Sequence, residues 1–111
     1  MLHKKYRLTK RKDFAYMYRK GEPTHTRYLT LVVTPTKMPM KIGFSVSKKI
    51  GKAHTRNLIK RRLTEVVRDM LPSIDTHHNY IIVAKTGVDT LSFAKLKDEA
   101  HTLFTKSGYY E

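Results

Sequence analysis

Cysteine is absent from the 111 residues, which excludes both a disulfide framework and a thiolate metal site. Carboxylates are scarce: nine Asp and Glu stand against 23 Lys and Arg, a formal net charge of +14. The few acids are scattered, and Asp98 and Glu99, being adjacent, leave a helix in divergent directions. An autonomous nuclease needs clustered acids to hold divalent ions, so catalysis by this chain alone is not expected. None of the six histidines sits in a metal-ligand spacing such as HExxH, and His77–His78 beside Asp75 reads as an ordinary loop. There is no glycine-rich phosphate loop before a GK[ST], and no GxSxG elbow. No apolar run approaches the roughly 18 residues of a membrane span. The start, MLHKKYRLTKRK, lacks the apolar core of a secretory signal. These absences predict a soluble, cytoplasmic protein with no place in a membrane.

What is present fits one domain over residues 1–111, with residues 1–9 as a basic arm. The apolar share of 40% comes in patterned runs, so the chain folds. A charge of this size costs stability through self-repulsion unless a polyanion neutralises it. Nucleic acid is the first candidate partner and an anionic membrane surface the second.

The stretch KIGFSVSKKIGKAHTRNLIKRRLTEVVR, residues 41–68, concentrates that charge. Ile42 to Ser47 alternates as a strand, with Ile42, Phe44 and Val46 on an apolar face and Gly43, Ser45 and Ser47 opposite. A glycine inside a strand marks a close approach by another group, which suggests a shallow trough floored by small residues. A half-solvated sheet face is the plainer alternative. Lys48 to His54 is a loop bent at Gly51. Thr55 is the expected N-cap of a helix running to Met70 and ended by Pro72. Ile59, Leu63, Val66, Val67 and Met70 form its core stripe. Arg61 and Arg68 project opposite that stripe with Asn57 nearby; Arg56 and Lys60 lie on one flank and Arg62 on the other. Lys48, Lys49, Lys52, Arg56, Lys60, Arg61 and Arg62 make a single-signed run at the positive end of the helix dipole. Cations are unfavourable there until an anion arrives.

The remaining elements frame this stretch. Thr9 is the expected cap of a helix over 10–20, with Gly21 as its left-handed stop. Phe14, Met17 and Tyr18 share one face of it, flanked by Lys10, Arg11, Lys12, Arg19 and Lys20. Such a stripe serves a core, but aromatics among cations also hold single-stranded nucleic acid. Tyr28 to Thr34 reads as a strand, and a hairpin with Ile42–Ser47 is expected across the Pro35–Met40 connector. Tyr80 to Ala84 reads as a buried central strand. Ser92 caps a last helix to Lys106, closed by Gly108, with Leu96, Ala100, Leu103 and Phe104 buried. The order is α, β, β, α, β, α, with room for one short unplaced strand.

Ile42-Gly43-Phe44-Ser45-Val46-Ser47-Lys48-Lys49, Gly51-Lys52-Ala53 and Arg56-Asn57-Leu58-Ile59-Lys60-Arg61 together resemble the signature of the protein subunit of bacterial ribonuclease P. The resemblance extends to Asp13-Phe14, Tyr18 to Gly21, Arg27-Tyr28, Ile81 to Lys85 and Leu91-Ser92-Phe93. It implies an α+β fold: a two-layer α/β sandwich, a mostly antiparallel sheet of about four strands, three helices and a left-handed βαβ crossover. It also implies a division of labour within a ribonucleoprotein endoribonuclease. A catalytic RNA, holding Mg²⁺, cleaves precursor tRNA at the mature 5′ end, while the protein binds that RNA and the 5′ leader. By resemblance, Arg56, Asn57, Lys60 and Arg61 face the catalytic RNA, supported by Lys48, Lys49, Lys52 and Arg62. Phe14, Met17, Tyr18, Val32, Ser45 and Ser47 line the leader cleft. No obligate protein partner is expected. Two departures stand out: Leu58, which falls on the polar side of the helical projection, replaces an expected arginine, and Tyr18 stands where phenylalanine is common.

Two further functions fit the charge and size. One is a structural RNA binder of the ribosomal-protein kind. The other is a DNA binder placing residues 55–68 in a major groove. A purely structural binder needs no single-strand trough, and duplex DNA against leader RNA separates the last.

Overall fold

The computed structural model describes residues 3–110, and the first two residues of the basic arm lie outside that range. At its centre is a strand with apolar side chains on both faces, β4 (His78–Ala84). A strand of that kind is stable only when paired on both edges and covered on both faces. It lies between β2 (Leu29–Pro35), antiparallel, and β3 (Ile42–Ser45), parallel; β1 (Glu22–His25) pairs antiparallel with the outer edge of β2.

Three helices complete the fold: α1 (Arg11–Lys20), α2 (Ala53–Met70) and α3 (Phe93–Ser107). Side-chain alternation divides the sheet. Leu29, Leu31, Val33, Ile42, Tyr80, Ile82 and Ala84 join the main core with the buried stripes of α2 and α3. The opposite face carries a smaller cluster in which Leu8 and Met17 cover Val32 and Ile81, with Phe14 and Val83 at its margin. The sheet is thus a main sandwich with α2 and α3, and α1 crosses the middle of its other face. No described helix is long and apolar enough to cross a membrane.

Several expectations are corrected. The hairpin between β2 and β3 does not form, because β4 takes the place between them and pairs Ile82 with both Leu31 and Phe44. The strand ends at Ser45, and Lys48–Ile50 turns instead as a short 3₁₀ helix. The unplaced strand is β1, whose Pro23 is tolerated on a sheet edge. Gly21 is not left-handed, with φ −77°; glycine is required because a Cβ would come within 2.5 Å of both the Met17 carbonyl oxygen and Val32 Cγ1. Lys10, not Thr9, is the cap position of α1. Lys52, not Thr55, is the cap position of α2, and it contributes no side-chain hydrogen bond. Ser92 does cap α3, its Oγ accepting from the Lys95 N–H at 3.2 Å, and Gly108 closes it at φ 86°. The basic arm is not a loose appendage: Arg7 bridges Ile42, and Leu8 is buried.

Candidate nucleic-acid interface

The first surface is the N-terminal half of α2 with the loop before it. Backbone N–H groups at this helix start have no side-chain cap, and no acidic residue lies in the first turn. A helix start left open in this way presents donors and partial positive charge to an anion. Around it Lys48, Lys49, Lys52, Asn57, Lys60 and Arg61 are exposed, while Arg56 is half-buried. Asn57, Lys60, Arg61 and Thr64 line a hollow of about 240 Å³. The described ion pair on α2 joins Arg68 to Glu65, on the helix's C-terminal half. Cations of the first half therefore meet no carboxylate among the described residues.

Three details fill in the sequence reading of this surface. Arg62 leans the other way, its guanidinium 3.5 Å from the Leu91 carbonyl, so it is set apart from Arg56 and Lys60. Leu58 is 39% exposed amid the cations, as its helical projection indicated. Arg56 Nε is buried and without a hydrogen-bond partner. A charged donor in that state is costly until an acceptor is supplied.

The second surface lies on the other side of the sheet, beside α1. Phe14 stacks over Gly43 so closely that a Cβ there would come 2.6 Å from Phe14 Cζ. The close approach read from this glycine is therefore made by the protein's own aromatic ring. Phe14 and Tyr18, one helical turn apart, have ring centroids 6.5 Å apart, and Tyr18 is 48% exposed. Ser45 and Ser47 are half-buried and exposed. Met17 and Val32 are different, at 2% and 7% exposure. Met17 anchors α1 on Val32 and Ile81 of the sheet, and being buried neither Met17 nor Val32 offers a face to a ligand, a correction to their placement in the cleft wall. Phe14 and Tyr18 thus stand beside the face of β3 that carries Gly43 and Ser45, two partly exposed rings next to small residues, while Ser47 follows the end of that strand.

Sequence reasoning missed two residues of this face. Val83 pairs in register with Thr30 and Ser45. His25, on β1, brings its Nδ1 within 2.9 Å of Thr30 Oγ1. The alternation of β4 could have revealed Val83, had its apolar run not looked buried on both sides. Nothing in EPTH announced His25.

A family model described as Ribonuclease P matches residues 2–108. The ribonuclease P protein component of Streptococcus pneumoniae (strain Hungary19A-6) is 30% identical over 112 aligned positions, covering 99% of this chain and 91% of the relative. Among solved structures, the RNase P protein of Staphylococcus aureus superposes with a TM-score of 0.89 at 25% identity, covering 96% of this chain and 98% of that one. The RNase P protein from Thermotoga maritima superposes with a TM-score of 0.80 at 22% identity, covering 87% of this chain and 93% of that one, a likeness of fold.

Proposed function

This chain belongs to the ribonuclease P protein family, and on that premise we propose that it binds the catalytic RNA through α2 and the 5′ leader of precursor tRNA through the groove beside α1. The observation that carries this reading is the chemical difference between the two surfaces. On one face of the sheet stands an array of unneutralised cations; on the other, a pair of partly exposed rings beside small polar residues. A folded RNA is held mainly through its backbone charge, whereas an unpaired strand is held by stacking its bases.

In this reading the protein orients and the RNA cleaves. Lys48, Lys49, Lys52, Arg56, Asn57, Lys60 and Arg61 neutralise backbone phosphates of the catalytic RNA and fix the protein on it. Phe14 and Tyr18 then present their rings to leader bases, while Ser45 and Ser47 supply hydroxyls. Binding the leader adds affinity for precursor that mature tRNA cannot gain. Among the described residues no three His, Asp or Glu side chains gather as a metal site. As part of this reading the Mg²⁺ belongs to the RNA, and no step is assigned to a protein-held ion. The setting is the cytoplasm.

Cleavage of precursor tRNA by a bacterial ribonuclease P RNA at low Mg²⁺, with and without this protein, tests the proposal. Stimulation with correct 5′ ends is expected. Tight RNA binding without stimulation, using the RNA subunit from the same source, would leave only a structural RNA binder.

A further inference from the structure

A strongly cationic hollow lies outside both surfaces. The 3₁₀ turn Lys4–Tyr6, the following residues and Lys41 enclose about 590 Å³, lined by His3, Lys4, Lys5, Arg7, Thr9 and Lys41. It is fastened to the sheet: the Leu8 N–H donates to the Ile42 carbonyl at 2.9 Å. Lys41 reaches into the same corner, its Nζ donating to the Lys5 carbonyl at 3.2 Å. Among the described residues no carboxylate lines the hollow, and none of its cations joins an ion pair.

A second observation points to a ligand. Arg7 Nε is shut off from solvent and has no hydrogen-bond partner. A guanidinium donor so placed lacks an acceptor that an anionic oxygen would supply. Arg7 also lines a neighbouring hollow of about 220 Å³ with Thr9, Phe44, Lys60 and Thr64. The N-terminal turn is thereby linked to Lys60 on α2, along the outer edge of β3.

We propose that this hollow seats a backbone phosphate of the catalytic RNA, with Arg7 as its inner donor and Lys4, Lys5 and Lys41 around it. An RNA strand seated on α2 then continues past Lys60 and Arg7 to the N-terminal turn. This deepens the RNA-binding reading and rests on it. It assigns the residues to the catalytic RNA rather than the leader because the link runs to Lys60.

Two measurements on the full chain test it. The Arg7 Nε–H resonance, identified by its loss in Arg7→Lys, is followed during titration with inorganic pyrophosphate. A saturable shift is expected. Separately, the variant combining Lys4→Gln, Lys5→Gln and Lys41→Gln is bound to ribonuclease P RNA across a salt series. The slope of log affinity against log salt is expected to fall by roughly 0.7–0.9 for each phosphate no longer neutralised. Preference for precursor over mature tRNA stays as in the parent.

The outcomes separate cleanly. If this variant keeps the parental slope while Arg56→Ala with Lys60→Ala weakens binding, the hollow is not an RNA site and the α2 reading stands. If neither variant affects RNA affinity, the RNA-binding reading itself fails. Selective loss of precursor binding would assign the hollow to the leader and overturn the proposal. A pyrophosphate shift with an unchanged RNA slope would reduce it to a site for free anions. The titration uses the unaltered protein, so it holds even if the triple variant folds poorly.

Discussion

Phe14 and Gly43 share one position: the ring of the first lies where the side chain of any other residue at the second would begin, 2.6 Å from an added Cβ. Leu8 Cδ2 would also stand 3.1 Å from that carbon. Gly43→Ala must therefore push the ring outward or open α1 from the sheet. Overpacking of this kind costs about 1–3 kcal/mol. A lower urea midpoint with an unchanged slope is expected, together with weaker precursor binding. A variant as stable as the parent that still binds precursor normally would show that the ring has room to move, contrary to the packing described.

The two surfaces predict two separable phenotypes. Arg56→Ala with Lys60→Ala removes cations from α2 and is expected to weaken binding to the catalytic RNA. Phe14→Ala removes one stacking face and is expected to cost precursor binding about 1–3 kcal/mol while sparing mature tRNA. Filter binding and holoenzyme affinity, measured side by side, check both. Should both changes damage a single interaction, the protein has one continuous surface and not two.

Much of this was legible because it depends on periodicity. The α2 stripe, the exposed Leu58 and the outward Asn57 and Arg61 follow from 100° per residue, and the structure keeps them. The strand order was not legible. Pairing of β4 between β2 and β3 depends on contacts across the whole chain, and β1 is a polar tetrapeptide containing proline. In α1 the pattern of Phe14, Met17 and Tyr18 defines a face but not its depth. Met17 points straight at Val32 and Ile81 and is buried, while its neighbours flank it. The projection set Arg62 on the flank opposite Arg56 and Lys60, but the Leu91 carbonyl it meets there comes from across the fold and was not legible.

The corner formed by Asp75 and Tyr80 makes stability depend on pH at both extremes. Asp75 accepts from the His77 N–H at 2.8 Å, and that bond, aided by His77 and His78 charge, holds its carboxyl below the ordinary value of 3.8. A depressed folded-state pKa adds stability that is present above the ordinary value and lost as pH falls below it. Burial raises the Tyr80 phenol, whose O–H donates to the Asp75 carbonyl. A raised pKa adds stability present below the ordinary value of 10.0 and lost as pH climbs above it. Urea midpoints across the pH range should therefore fall at both ends. Asp75→Asn should flatten the acid limb alone, and Tyr80→Phe the alkaline limb alone. Unaltered limbs in these variants would place the linkage in other groups.

Leu58 offers the most direct gain-of-function test, because it stands exposed among cations where the family resemblance expects arginine. Its side chain is not in the core, so Leu58→Arg changes stability by no more than about 0.5 kcal/mol. If α2 faces RNA, the added guanidinium meets a phosphate. Affinity for ribonuclease P RNA then rises, and the salt slope steepens by roughly 0.7–0.9, the worth of one more neutralised phosphate. Precursor discrimination, proposed to reside beside α1, is expected not to move. Leu58→Lys should give part of the affinity, since an ammonium lacks the planar fork of arginine. A loss of affinity in both variants would mean that the leucine makes an apolar contact of its own with the RNA. The two results assign position 58 either to phosphate neutralisation or to the packing of a base or ribose.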